Sequence, residues 1–112
     1  MKIENRNHND IQIAEISGRI DPSTTAYFEE ELNKILTDNR PKVLLNMKQV
    51  DYISSSGLRV FITALKKVRG ANGELKICSM SPNIQKIFEI SGFVQLFDIS
   101  SSEEEALQKF QT

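Results

Sequence analysis

Hydrophobic residues change their period several times along the chain, and each change marks an element. Lys2 to Arg6 alternates weakly, while Ile11, Ile13 and Ile16 lie in a stronger segment ending at Gly18. Between them Asn7-His8-Asn9-Asp10 is rich in turn formers, so the pair reads as a β-hairpin. Asp21-Pro22-Ser23 carries a helix start: a capping carboxylate, then proline at the first helical position. Phe28, Leu32, Ile35 and Leu36 recur at helical spacing up to Asn39-Arg40-Pro41. Val43-Leu44-Leu45 is a short continuous apolar run, as a buried parallel strand shows. Leu58, Phe61, Ile62, Leu65 and Val68 return to the helical period, with Lys66, Lys67 and Arg69 near the end and Gly70 as the stop. Leu75 to Met80 and Val94 to Ile99 read as further strands. Pro82 to Ile90 reads as a helix, and Ser102 before Glu103, Glu104 and Glu105 starts a last one.

The order is β-β-α-β-α-β-α-β-α, with helices expected near residues 23–38, 56–69, 82–91 and 102–110. Strands that alternate with helices need crossover connections and so build a largely parallel sheet. The expected architecture is one α/β domain over residues 1–112, with a four- or five-stranded mixed sheet and the N-terminal strand antiparallel at an edge. At 112 residues, 39% hydrophobic and 26% charged, the chain can bury one core without disulfides or metal.

Charge narrows the function. Fourteen basic against fifteen acidic residues leave a net −1, which supplies no basic stripe for direct nucleic-acid binding. The first ten residues hold no apolar signal segment, and the longest near-apolar run, Val60 to Leu65, is too short for membrane insertion. A single cysteine, Cys78, fits a reducing cytoplasm. His8 is the one histidine, so no metal-ligand cluster can assemble and a serine hydrolase would lack a placed base. Glycine-rich phosphate loops are absent, so neither a cofactor nor a nucleotide is expected on this chain.

The segment Asp51-Tyr52-Ile53-Ser54-Ser55-Ser56-Gly57-Leu58-Arg59 remains. Three hydroxyls sit between a strand and the first turn of a helix, at the sheet end where open α/β folds place ligands. One serine suffices as a cap; three followed by glycine exceed that need. A helix N-terminus accommodates a phosphate, because its free N–H groups and dipole favour negative charge.

These residues resemble the phosphorylation loop of STAS-domain anti-sigma factor antagonists. Gly18-Arg19-Ile20-Asp21, Val43-Leu44-Leu45-Asn46-Met47, Ser81-Pro82-Asn83-Ile84 and Ser91-Gly92-Phe93 are similar to other family segments, in the family's order. The resemblance implies a non-enzymatic switch. A partner that is both anti-sigma factor and ATP-dependent serine kinase modifies the antagonist, a serine phosphatase restores it, and the unmodified form sequesters the partner to free a sigma factor. By position the acceptor is Ser55, with Asp21, Ser54, Ser56, Gly57 and Arg59 on the partner surface. Ser54 departs from the family, whose well-known members carry Asp there. A second implied reading is a cytoplasmic STAS subunit of an ABC-type lipid transporter, in which the same helix face packs on an ATPase and Ser55 is only a cap.

Overall fold

In a computed structural model, described for residues 1–110, strand order follows chain order. The elements are β1 (Lys2–His8), β2 (Ile11–Ile20), α1 (Thr25–Ile35), β3 (Lys42–Ile53), α2 (Ser55–Gly70), β4 (Glu74–Cys78), α3 (Pro82–Ile90), a 3₁₀ turn (Phe93–Gln95), β5 (Asp98–Ser100) and α4 (Glu103–Gln108). β1 pairs antiparallel with β2, while β2, β3, β4 and β5 run parallel. The five-stranded mixed sheet and the four helices are those the periodicity indicates.

Several boundaries differ for local reasons. The hairpin turn is only Asn9-Asp10, because Asn9 adopts a positive φ of 57° and lets both strands run further. The expected strand over Val94 to Ile99 is mostly the 3₁₀ turn, and only Asp98–Ser100 pairs with β4. Phe93 and Phe97 pull that turn into the aromatic core, against Phe88 and Phe61 at ring separations of 5.8 to 6.2 Å. Gly70 does not stop α2; it is its last residue. The left-handed residue is Asn72 (φ 59°), and Asn72 N–H and Gly73 N–H bond back to the Arg69 and Val68 carbonyls.

The parallel crossovers place α1, α2 and α3 on one sheet face, where Phe28, Phe61 and Phe88 join Ile16, Leu45 and Ile77 in the main core. A smaller cluster, Ile11, Ile13, Leu44, Cys78, Ala106 and Phe110, lies under α4 on the other face. Burial pushes the Cys78 thiol pKa up, so it packs as a small apolar side chain. A polar clasp holds α4 in place. Arg6 reaches both Glu103 oxygens, at 2.7 and 3.3 Å, and Asn46, only 7% exposed, donates to the same carboxylate at 3.0 Å.

The Arg6 bond, then the Asn46 bond, hold the Glu103 carboxyl below its ordinary range. A depressed folded pKa contributes stability above the unfolded value, and that contribution is lost as pH falls through the folded one. Glu103→Gln is therefore expected to cost about 1 kcal/mol at pH 7. The gap to the parent should narrow as pH falls through and below the ordinary carboxylate range, in urea unfolding followed by circular dichroism.

Candidate functional site

β2 and β3 deliver the serine cluster and Asp21 to one end of the sheet. Their register shifts twice, between Glu15 and Ser17 and between Gly18 and Arg19, so β3 carries two extra residues as bulges. Asn46 steadies the first bulge by accepting the Lys48 N–H at 3.0 Å. The second brings Arg19 opposite Tyr52 and Ile20 opposite Ile53. The Ser54 N–H then bonds the Ile20 carbonyl at 2.8 Å, placing the loop after β3 directly beside Asp21.

The three hydroxyls take three different roles. Ser54 is the helix cap, its oxygen accepting the Gly57 N–H at 3.2 Å. Ser56, half-buried, shares a hydrogen bond of 2.9 Å with the Ser54 hydroxyl. Ser55 is the first residue of α2 and exposed, and among the described residues its hydroxyl makes no hydrogen bond.

Gly57 is buried rather than presented to a partner, which corrects the expectation for that residue. A Cβ there would lie 2.6 Å from Ile20 Cγ2 and 3.0 Å from Ile53 Cγ1. The glycine lets the first turn of α2 sit on the ends of β2 and β3. Arg59 is exposed, in a shallow groove of about 290 Å³ with Thr25, Glu29, Ser56 and Thr63.

Asp21 does not cap α1, another correction. Its carboxylate accepts the Ser23 hydroxyl at 2.6 Å and the Ser23 N–H at 3.0 Å, closing a turn before the helix. The cap position is Thr24, whose hydroxyl bonds the loop instead: it accepts Asp21 N–H and donates to the Arg19 carbonyl. Proline thus lies in the turn, outside α1. The Ser23 hydroxyl bond first, with help from Arg19, holds the Asp21 carboxyl below its ordinary range, so it is an anion at neutral pH.

Sequence reasoning missed one pairing here. The Arg19 guanidinium lies 4.3 Å from the Tyr52 ring centroid and 3.3 Å from Asp21 Oδ2. Tyr52 is 38% exposed, a large residue for an open surface. The signal was available only through register, because thirty-three positions separate Arg19 from Tyr52 and a bulge sets them opposite each other.

Fold and site together define a small α/β domain that presents one free serine at a helix start. The chain matches the STAS domain family over residues 2–106, and it belongs to that family. BtrV of Bordetella bronchiseptica, whose name places it among anti-sigma factor antagonists, is 36% identical over 100 residues, covering 89% of this chain and 86% of its own. The anti-sigma-B factor antagonist of Bacillus subtilis is 33% identical over 103 residues, covering 92% of this chain and 93% of its own. Among solved structures, an anti-sigma factor antagonist from Mycobacterium paratuberculosis matches with a TM-score of 0.87 at 19% identity, over 96% of this chain and 91% of that one. The phosphorylated form of the Bacillus protein SpoIIAA matches with a TM-score of 0.74 at 15% identity, over 98% of this chain and 100% of its own. At these identities the two structures share the fold.

Substitutions at two positions separate packing from capping. Gly57→Ala is expected to destabilise by about 1–3 kcal/mol, since the Ile20 and Ile53 contacts leave no room. Ser54→Ala should cost about 0.5–2 kcal/mol through the lost cap, whereas Ser54→Asp, an equally good cap, should stay near the parent. Denaturant midpoints at constant m-value check both.

Proposed function

We propose that this protein is an anti-sigma factor antagonist controlled by phosphorylation of Ser55. Unmodified, the surface carrying Asp21, Ser55 and Arg59 docks on the anti-sigma factor and so frees a sigma factor. That partner is also the kinase. It transfers the γ-phosphoryl group of ATP to the Ser55 oxygen: the new O–P bond forms, the bond to the β-phosphate bridging oxygen breaks, ADP leaves and the hydroxyl proton is released. A serine phosphatase hydrolyses the ester and resets the surface. The antagonist is a binding protein, not an enzyme, and the reading places it in the cytoplasm, where sigma factors act. Among the described residues no helix is long and apolar enough to cross a membrane.

The free Ser55 hydroxyl carries this reading. Of the three serines it alone is exposed and unbonded, and the capped helix start fixes its position. Relatives named as antagonists over most of their length support the switch over the lipid-transporter subunit. The transporter reading also makes Ser55 the helix cap, a role that Ser54 fills.

Phosphate adds about −1.5 to −2 charges and three acceptor oxygens to the docking surface. Such a charge, desolvated without a partner, costs several kcal/mol, and every ~1.4 kcal/mol is tenfold in affinity. Release therefore needs no change of fold.

Calorimetric titration of the cognate anti-sigma factor tests the switch. With ATP present, Ser55→Ala should stay bound while the parent is released. Ser55→Asp should fold like the parent, because a carboxylate suits a helix start, yet bind at least about tenfold more weakly. Asp21→Asn keeps an acceptor for Ser23 and removes the charge, so it should leave the unfolding midpoint close to the parent's while weakening binding. Unchanged affinity in Ser55→Asp would reject the switch, and in Asp21→Asn would reduce Asp21 to a turn former.

A further inference from the structure

On the reading of Ser55 as acceptor, we infer that Arg59 is the intramolecular partner of the phosphate. Residues four apart on a helix are neighbours, with Cβ atoms about 5–6 Å apart, so Arg59 lies one turn along α2 from Ser55. Both side chains are uncommitted: among the described residues neither the Ser55 hydroxyl nor the Arg59 guanidinium has a hydrogen-bond or ion-pair partner. The other arginine near the site, Arg19, is held by Asp21 and stacked on Tyr52. Further along α2, Lys67 bonds Asn33 and Arg69 bonds the Leu96 carbonyl.

A guanidinium fork matches two phosphate oxygens, which makes arginine the natural clamp for this group. The amides of Ser55 and Ser56 precede the first bonded turn of α2 and add to the attraction. Asp21 and Asp51, at the same end of the sheet, oppose it. Glu29, across the groove, is the acid that competes for Arg59. The clamp gives phosphorylation a second effect. Besides adding charge, it withdraws Arg59 from the surface offered to the anti-sigma factor, so one modification removes one favourable contact and introduces one unfavourable charge.

The test installs phosphoserine at position 55 during translation, so no kinase is needed, and follows the phosphate by ³¹P NMR titration. In the parent its second pKa should lie about half a unit below that in Arg59→Ala, about a threefold difference in proton affinity. Arg59→Lys should recover part of the difference. The amides, Asp21, Asp51 and Glu29 are common to all three proteins, so the comparison isolates Arg59. Alkaline phosphatase should also hydrolyse the Ala variant faster than the parent. Identical phosphate pKa values in the parent and Arg59→Ala would overturn the clamp and leave the switch standing. Failure of the cognate kinase to modify Ser55 would overturn the switch without touching this titration.

Discussion

Three atoms crowd the place where a side chain on Gly57 would go: Ile20 Cγ2, Ile53 Cγ1 and the Ile20 carbonyl oxygen. That contact lets α2 start directly on the ends of two parallel strands, and the site depends on it. With the helix start seated there, Ser54 can cap it, Ser54 N–H can bond the Ile20 carbonyl, and Ser55 is left facing solvent. A larger residue at 57 would lift the first turn and alter the positions of all three hydroxyls. The glycine serves the proposed acceptor from beneath, by fixing where it stands.

The arrangement also explains how a small domain can switch without being reshaped. The main core, with its linked rings of Phe28, Phe61, Phe88, Phe93 and Phe97, lies between the sheet and the three crossover helices. The proposed phosphate lies outside it, on a hydroxyl with no hydrogen bond to lose among the described residues. A rigid scaffold beneath a free hydroxyl would confine the effect of modification to the surface. That is an efficient way to change affinity, because interfaces penalise unpaired charge far more than folds penalise exposed charge.

Much of this was legible in the sequence. The parallel sheet followed from the alternation of apolar strand segments with helical ones, and the serine cluster stood out because three hydroxyls exceed what a cap requires. What failed was local. Asp21-Pro22 reads as cap and first helical residue, but the Asp21 carboxylate closes a turn on Ser23 and the helix begins after Thr24. Val94 to Ile99 reads as a strand by its apolar residues, yet Phe93 and Phe97 gain more by joining the aromatic core. Gly57 reads as part of the partner surface and is instead a buried close contact with Ile20 and Ile53. The Arg19–Tyr52 pair rests on a bulge and a long-range register, neither of which one-dimensional periodicity encodes.

The central claim is that Ser55, and neither of its neighbours, is the switch. Fragment-ion mapping of the intact chain after incubation with its anti-sigma factor and ATP tests that claim most directly. The account predicts a single added phosphate, on Ser55. Phosphate on Ser54 or Ser56 alone, or none at all, would contradict it.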